Sequence, residues 1–409
     1  MKIGILTYHC VPNFGAQLQA LSTVAYLRRA GHDPIVLNWY PIALESIYCN
    51  GRIPEDQIFS HNEFTIKNLP VSSLCRNEDE LIDEINRLSL DAILLGSDAI
   101  FKCHFQKESS SHCAEQIEGN PFFGLFLLKL KQRIPASVYA ASSQDCAFRM
   151  MSRSERRMLK NGFDAFNVIS TRDVWTRNMV EYITARRGIR VFPDPVFGFN
   201  DNIRGQVAIP KREEMLAKYG LPERYALLCF RDRFVNREYV KSIANELICK
   251  GIQPVAFPMP EGNYDCGIDR IIGLPLDPLI WYALICYSSG YIGERMHPII
   301  VCLHNGIPFF SFDEYGRVAF RFFARKRFWI RKYYRDWRSS KIYHIIKKAD
   351  LLDNWYSYHK QNTPPSPTEV VNRILSFNLE RCKRFSIKES NEYQHGMSYV
   401  LRSLVLNRF

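Results

Sequence analysis

Residues 2–39 read KIGILTYHCVPNFGAQLQALSTVAYLRRAGHDPIVLNW, and this stretch decides the fold class. Lys2–Thr7 and Pro34–Trp39 are short apolar runs typical of buried strands. Between them, Ala16–Ala30 has apolar residues at helical spacing, and Gly31 ends that helix. A strand, a loop, a helix and a second strand in this order predict a parallel sheet covered by helices on both faces.

The same alternation continues along the chain. Further strands are predicted in the first half at Asp91–Leu95, Ser137–Ala141 and Asn167–Thr171. The turn-rich stretch Val191–Gly205 predicts a linker, and a second α/β series begins at Tyr225–Phe230. We therefore expect two Rossmann-like domains that face each other across a cleft. The expected bounds are 1–195 for the N-terminal domain, 205–345 for the C-terminal domain and 346–409 for a C-terminal helical extension.

The composition narrows the class of protein. With 409 residues, 46% hydrophobic and 23% charged, the chain has the profile of a globular protein and not of a disordered one. It has no run of about 18 apolar residues, so we expect no membrane-spanning helix, and its N-terminus does not resemble a signal peptide. The twelve cysteines include no Cys-x-x-Cys pair, which argues against a zinc ribbon or a disulfide scaffold. A cytoplasmic location follows as the simplest expectation.

Positive charge is concentrated in one segment. The net charge is +12, and Arg317–Lys348 holds twelve basic residues and one acid, which gives +11. Aromatic residues alternate with these cations between Val318 and Tyr343. Amphipathic helices of this composition lie on anionic membrane surfaces, and we favour that interpretation. A solvated or partly buried helix is the second interpretation, and a nucleic-acid-binding surface is the third and least favoured.

The loop after the first strand is the first candidate site. Its residues Asn13, Gly15, Gln17 and Gln19 surround the start of the first helix, where a glycine lets a ligand approach unpaired backbone N–H groups. We take them as candidates for binding the acceptor substrate. An ordinary strand-to-helix turn with solvated glutamines is the competing interpretation. The fingerprint G-x-G-x-x-G is absent, which argues against a nicotinamide cofactor.

Two further motifs follow predicted strands. Ser97 and Asp98 come directly after the third strand, where a carboxylate can accept hydrogen bonds from sugar hydroxyls or take a proton from one. Arg172 follows the strand that ends at Thr171, and its planar fork of donors suits a carboxylate or a phosphate. The alternatives are an aspartate that caps a turn and an Arg172–Asp173 pair on the surface.

The segment Glu294-Arg295-Met296-His297-Pro298 carries the most informative pattern. Arg295 and His297 lie two residues apart at a predicted strand-to-helix junction. An arginine there can hold an anion, and a histidine can deliver a proton because its pKa lies near neutrality. A lone histidine is more often structural, but the arginine and the preceding Gly290–Gly293 favour function.

Six motifs occur in order along the chain: Asn13–Gln19, Gly96–Asp98, Tyr139–Ser142, Ser170–Asp173, Asp194-Pro195 and Arg295–His297. Together, over roughly residues 1–320, they resemble the polysaccharide pyruvyl transferase family. The resemblance implies a fold similar to the B-type glycosyltransferases and phosphoenolpyruvate as the donor substrate. It implies no metal and no other cofactor.

The resemblance also assigns residues. Arg172, Arg295 and His297 match the family's donor-binding and catalytic positions, and Arg317 stands where a further cation is common. We expect His297 as the general acid, with Asp98 orienting or deprotonating the acceptor.

The chain departs from the family's usual pattern at three positions. Glu294 replaces an aspartate, Pro298 a glycine and Ala99 a glutamine. Pro298 is tolerable if it opens the helix as its first residue. Ala99 removes an acceptor contact that relatives often make.

The expected activity is therefore transfer of a pyruvyl group onto a sugar of a capsule or exopolysaccharide repeat, as a ketal, with release of phosphate. By analogy the acceptor is carried on a polyprenyl diphosphate at the inner face of the cytoplasmic membrane. Two alternatives stay open: a glycosyltransferase of the same fold that uses a sugar nucleotide, and a non-enzymatic basic protein that binds membrane or nucleic acid.

Overall fold

The computed structural model describes residues 1–103, 115–231, 236–313, 319–323, 328–332, 340–358 and 363–406. The chain divides into two compact units. Unit 1 comprises Met1–Glu55, His61–Ala208 and Glu389–Phe409, and unit 2 comprises Asp56–Ser60 and Ile209–Lys388. Each unit contains one parallel sheet, which confirms the prediction of two α/β domains.

Unit 1 is built on a six-stranded, all-parallel sheet with the order β2-β1-β3-β4-β5-β6. Its strands are β1 Lys2–Leu6, β2 Asp33–Val36, β3 Ala92–Leu95, β4 Ala136–Ala141, β5 Val168–Thr171 and β6 Arg190–Val191. The first five lie where the apolar runs predicted them. Because all six run in one direction, the polar residues that follow them meet at one edge of the sheet.

Seven helices cover this sheet or connect its strands. They are α1 Phe14–Arg29, α2 Ile42–Tyr48, α3 Glu55–Asn68, α4 Glu78–Leu88, α5 Arg153–Asp164, α6 Val174–Thr184 and α7 Phe199–Ile203. Side chains that accept hydrogen bonds from the first turn begin four of them: Asn13 for α1, Asn77 for α4, Ser152 for α5 and Asp173 for α6. Such N-caps explain why these helices begin where they do.

The segment predicted as a linker is part of the core of unit 1. Phe192, Val196, Phe197 and Phe199 are buried, and the boundary between the units lies after Ala208. The prediction of an exposed linker over 191–205 was wrong because the turn residues there alternate with apolar side chains that pack inside.

Unit 2 contains a five-stranded sheet with the order β13-β10-β9-β7-β8, all parallel. The strands of this sheet are β7 Tyr225–Cys229, β8 Gln253–Ala256, β9 Gly290–Gly293, β10 Phe309–Asp313 and β13 Trp355–Ser357. Two further strands, β11 Ala319–Phe323 and β12 Phe328–Lys332, form a separate antiparallel pair. Its helices are α8 Arg212–Tyr219, α9 Arg237–Cys249, α10 Pro278–Cys286, α11 Met296–Asn305, α12 Lys341–Lys348 and α13 Pro367–Leu375.

The basic segment 317–348 is not one amphipathic helix. Its described residues form β11, β12 and the short helix α12. The backbone register pairs Phe322 with Trp329 and Arg321 with Ile330. Aromatic and β-branched residues that alternate with cations favour strands, and this preference outweighs the amphipathic helical interpretation. Arg317 lies outside the described residues.

The last helix, α14 Leu379–Leu406, takes the chain from unit 2 into unit 1. Cys382 is buried in unit 2, where its thiol donates to the Leu303 carbonyl, 3.5 Å away. Tyr393 is fully buried in unit 1, with its ring edge-on to that of Tyr139. The residues expected to form an extension of their own, 346–409, are thus divided between the two units.

Within the described part of the chain, no helix combines the length and apolar character that crossing a membrane requires.

Candidate active site

An arginine between two aspartates lies at the carboxyl edge of the sheet in unit 1. Arg172 follows β5, Asp98 follows β3, and Asp194 follows β6. The Arg172 Nη1 donates to Asp194 Oδ2 at 2.5 Å, and its Nη2 lies 3.5 Å from Asp98 Oδ1. The arginine side chain is only 4% exposed. Burial alone would lower the pKa of Arg172, but the charges of Asp194 and Asp98 outweigh it, so its pKa is raised and the cation is kept.

The loop that carries Asp98 is held by close backbone packing. Gly96 has φ +103°, and a Cβ there would lie 2.2 Å from the Tyr139 carbonyl oxygen, so no other residue fits without rearrangement. Ser97 donates its hydroxyl to the Ala140 carbonyl at 2.7 Å. The Ala99 N–H donates to Asp98 Oδ1 at 2.8 Å. Asp98 is therefore positioned by backbone contacts, and Ser97, predicted as a substrate contact, has its hydroxyl bonded inside the protein.

Gln19 belongs to this edge as well. It is buried, and its Nε2 donates to Asp194 Oδ2 at 3.0 Å. The same carboxylate oxygen therefore accepts from Gln19 and from Arg172. Asp194 was part of a recognised motif, but sequence reasoning gave it no role. It lies three residues after the end of β6, a strand that the sequence pattern did not predict, so only the Asp194-Pro195 motif marked it.

The other predicted residues of the first loop lie inside unit 1. Asn13 caps α1 by accepting from the Ala16 N–H at 3.2 Å, and Gly15 is buried in the first turn. Gln17 is fully buried, and its amide contacts His61 and Thr65. The idea of solvated glutamines was wrong, because both glutamines are enclosed.

In unit 2, the corresponding arginine lies at the junction between β9 and α11. Arg295 is the N-cap residue of α11, yet its side chain makes no capping hydrogen bond. Its Nη2 donates to Glu261 Oε1 at 3.2 Å, and the two side chains are 25% and 49% exposed. Its Nε is buried without a hydrogen-bond partner. Burial alone would lower the pKa of Arg295. The nearby Glu261 charge and the Cys229 sulfur have the larger, opposite effect, so the net result is a raised pKa.

His297 and Pro298 are the second and third residues of α11. His297 is partly buried. The prediction that Pro298 is the first helical residue was wrong by two positions. It is tolerated there because the first four N–H groups of a helix have no partner within the helix.

Glu294, which stands where the family often has an aspartate, also contacts other side chains. Its Oε1 accepts from the Tyr358 hydroxyl at 3.1 Å, and its Oε2 lies 3.8 Å from Arg231 Nε. Burial and this carboxylate raise the pKa of Tyr358.

Close packing behind Arg295 fixes the end of β9. A Cβ on Gly293 would lie 2.4 Å from the Cys229 carbonyl oxygen. Burial raises the pKa of the Cys229 thiol to about 11, so the thiol stays protonated near neutral pH. It serves as a small apolar neighbour and not as a nucleophile.

Each unit thus presents an arginine that follows a parallel strand and keeps a buried Nε without a partner. In unit 1, Arg172 is brought together with Asp98 and, through Asp194, with Gln19. In unit 2, Arg295 is brought together with His297. Guanidinium groups of this kind suit carboxylate or phosphate ligands.

Solved structures of low sequence identity share the fold. The UDP-GlcNAc 2-epimerase from Neisseria meningitidis bound to UDP-GlcNAc is similar over 100% of both chains, with 10% identity and a TM-score of 0.57. The UDP-GlcNAc 2-epimerase from Methanocaldococcus jannaschii is similar over 92% of both chains, with 11% identity and a TM-score of 0.51. These similarities establish the fold alone, which is that of the B-type glycosyltransferases.

Comparison of sequences gives the family. No curated protein matches the chain. The family model for polysaccharide pyruvyl transferase matches residues 13–314, which is most of the chain and includes both arginines, Asp98 and His297. The protein therefore belongs to the polysaccharide pyruvyl transferase family.

Proposed function

We propose that this transferase moves the pyruvyl group of phosphoenolpyruvate onto a sugar of a polysaccharide repeat, where it forms a ketal and phosphate is released. The observation that supports this most directly is the Arg295–His297 pair at the start of α11, within a chain of this family. The pair combines a cation for an anionic donor with a group that can carry a proton at neutral pH.

The donor is strongly anionic, since it carries a carboxylate and a phosphate. Arg295 offers it a buried Nε without a partner, in a side chain whose existing ion pair is with a half-exposed glutamate. The first N–H groups of α11 and the positive end of its dipole add to this anion-binding character. The family resemblance assigns Arg172 to the donor as well, and its Nη2, 3.5 Å from Asp98 Oδ1, is its less firmly bonded group. Arg317 remains a candidate outside the described residues.

His297 is proposed as the general acid. The imidazolium delivers its proton to the methylene carbon of the donor, and an oxocarbenium-like centre develops at the neighbouring carbon. A first sugar hydroxyl adds to that centre and gives up its proton. Phosphate then leaves, and a second hydroxyl of the same sugar closes the ketal ring.

Asp98 is proposed to orient or deprotonate the acceptor hydroxyl. Its carboxylate accepts from the Ala99 N–H at 2.8 Å, and its Oδ1 lies 3.5 Å from Arg172 Nη2. The side chains of this edge form hydrogen bonds inside the protein, as seen for Gln19, Ser97 and Asn13. We therefore propose that these residues position the loops that follow the strands. The buried Gly15 and Gln17 are proposed to do the same.

For the acceptor we propose a saccharide carried on a polyprenyl diphosphate, with the enzyme at the inner face of the cytoplasmic membrane. The concentration of +11 charges in 317–348 is what supports an anionic membrane partner. Liposome flotation of the wild type against a variant with several of these cations neutralised tests it, and unchanged binding would refute it.

The reaction itself is tested by incubating the purified full chain with phosphoenolpyruvate and a lipid-linked acceptor. We expect phosphate release that depends on the acceptor, and an acceptor heavier by one pyruvic acid less one water. Replacing phosphoenolpyruvate with sugar nucleotides tests the glycosyltransferase alternative, which predicts a hexose-sized gain. Phosphate release would exclude the non-enzymatic alternative, and a lack of product with every donor would overturn the proposal.

A further inference from the structure

A second basic surface lies in unit 1, outside the residues discussed so far. Arg149–Lys160 contains five basic residues and one acid. Two of the arginines, Arg149 and Arg156, line a surface pocket of about 360 Å³ together with Phe148, Tyr182 and Arg187. The pocket is formed by the segment before α5, by the first half of α5, and by the C-terminal half of α6 with the residues that follow it. Three arginines around one concavity indicate an anionic ligand.

The cations of this pocket are poorly neutralised by the protein. Neither Arg149 nor Arg156 has a carboxylate within ion-pair distance, as judged over the ranges that the structure describes. Glu155, the acid nearest in sequence, is engaged in the capping box of α5. Glu181 lies 3.9 Å from Arg187, which is 86% exposed, so that pair is weak. The pocket therefore carries net positive charge.

Aromatic rings form the body of the same pocket. The Phe148 and Tyr182 ring centroids are 5.7 Å apart, and those of Phe148 and Trp175 are 5.5 Å apart. Arg156 lies 4.5 Å from the centroid of Tyr182. The three rings make a strip with arginines at its side, and because Phe148 is buried, Tyr182, which is 37% exposed, is the ring that a ligand can contact. An exposed ring of this kind offers flat apolar surface to a ligand that also bears charge.

This strip starts at the proposed acceptor edge. Trp175 is in the first turn of α6, directly after Arg172 and Asp173, and its indole donates to the Cys146 carbonyl at 3.0 Å. Tyr182 is eight residues along α6 from Val174, or roughly 12 Å. A sugar polymer whose end lies at the sheet edge and that follows α6 reaches Tyr182 and the arginines beside it.

The chemistry favours a saccharide over a membrane. Insertion into lipid needs protruding apolar side chains, whereas Leu159 and Phe163 of α5 are fully buried and Tyr182 is only 37% exposed. The pocket instead offers ring faces and guanidinium groups within a concave surface.

We propose that this pocket binds an acidic segment of the acceptor saccharide, with the carboxylates of uronate-type or already pyruvylated sugars held by Arg149 and Arg156. A sugar ring lies against the exposed part of Tyr182. This inference rests on the proposed function, since it names the chemical class of the acceptor at a subsite beyond the reacting sugar.

The test uses hexagalacturonate as the probe and the full chain, with binding measured by calorimetry. We expect binding by the wild type and a loss of about tenfold or more in affinity for R149Q/R156Q, because two charge-assisted contacts are removed. Tyr182→Ala should lose affinity without any change in net charge. Neutral maltohexaose should bind more weakly than hexagalacturonate.

The matched control is K131Q/R133Q, which removes two exposed cations of unit 1 that make no ion pair in the described chain. It should bind hexagalacturonate like the wild type. Equal losses in both double variants would overturn the proposal, as would unchanged binding by R149Q/R156Q. Tighter binding of single-stranded DNA or of phosphatidylserine vesicles than of the saccharide, lost in R149Q/R156Q, would also overturn it in favour of those partners.

Turnover separates this inference from the proposed reaction. In R149Q/R156Q, the KM for an acidic acceptor should rise while the KM for phosphoenolpyruvate and kcat stay near wild type. If the protein binds hexagalacturonate but never consumes phosphoenolpyruvate, the proposed pocket stands and the proposed reaction is overturned. If it turns over without binding the saccharide, the reaction stands and the pocket is overturned.

Discussion

The two sheet edges each present an arginine, but the two arginines are held in different ways. Arg172 in unit 1 is 4% exposed and lies between Asp194 and Asp98, which are themselves almost fully buried. Arg295 in unit 2 is 25% exposed and bonds to Glu261, which is half exposed. Removing one partner of a buried ion pair leaves an uncompensated buried charge, which is strongly destabilising. An exposed ion pair contributes little to stability, so its cation can change partners at little cost. Unit 1 therefore has a fixed edge, and unit 2 has an edge whose cation can take a new partner.

The largest expected effect is a loss of activity at the edge of unit 2. His297→Gln should lower kcat by about 10²–10⁴-fold, the usual range for removing a general acid. The stability of the protein should change little. Phosphate release measures the effect, with His395→Gln, an exposed histidine of α14, as the control. Near-normal turnover of His297→Gln would remove this residue from the mechanism.

The contrast between the arginines predicts opposite outcomes for their removal. Arg172→Ala should lower the free energy of unfolding by about 3–5 kcal/mol, because Asp194 and Asp98 are left buried without a cation. Arg295→Ala should lower it by less than about 1 kcal/mol and should mainly raise the KM for phosphoenolpyruvate. Urea unfolding and steady-state kinetics measure the two effects. Equal stability losses would mean that both edges are equally fixed.

The glycines at the two edges allow a finer comparison. Gly96→Ala combines backbone strain at φ +103° with a contact of 2.2 Å, and strain of this kind alone costs about 1–3 kcal/mol. Gly293→Ala meets the Cys229 carbonyl oxygen at 2.4 Å and the Tyr291 hydroxyl at 2.5 Å, but Gly293 does not have a left-handed φ, so the change should cost less. Gly273→Ala, with no heavy atom within 4 Å of the new Cβ, is the control. Thermal unfolding of the three variants should give this order, and a milder effect at Gly96 would contradict it.

A pH dependence of stability is expected from a buried histidine of unit 1. Burial lowers the pKa of His61 from 6.5 to about 3. The unfolded chain therefore binds a proton below about pH 6.5 that the folded chain does not bind, so stability is complete above that pH and falls as the pH falls. Between about pH 6.5 and pH 5 the loss amounts to about 2 kcal/mol. His61→Gln should flatten this part of the pH profile of urea unfolding. An unchanged slope would show that His61 is not responsible.

Sequence predicted the strands well because their apolar runs are short, continuous and bounded by turn residues. Arg172, Arg295 and Asp98 were identified because residues that follow parallel strands must lie at one edge. The partners of these side chains were not accessible in the same way. Asp194 is 22 residues from Arg172 and 96 from Asp98 in sequence, and only the sheet order places them together.

Burial of polar side chains was also beyond the sequence. Nothing in the sequence around Gln17 and Gln19 distinguishes them from glutamines exposed to solvent. In the structure, each forms hydrogen bonds with residues that are distant in sequence. The pocket around Arg156 was missed for a related reason. Phe148, Arg156 and Tyr182 lie on separate segments of the chain, and only the fold places them around one pocket.

Tyr393 of α14 has a consequence for how the protein is made. Its hydroxyl accepts from the Asn202 amide at 2.9 Å, and its ring lies against Tyr139 at the centre of unit 1. Most of unit 1 precedes unit 2 along the chain and is synthesised before it, but Tyr393, a buried part of the unit 1 core, follows unit 2. Unit 1 must therefore wait, with an unfilled core, until translation of unit 2 is complete. A truncation that spares every proposed active-site residue but ends before α14 should leave the first unit unable to finish folding.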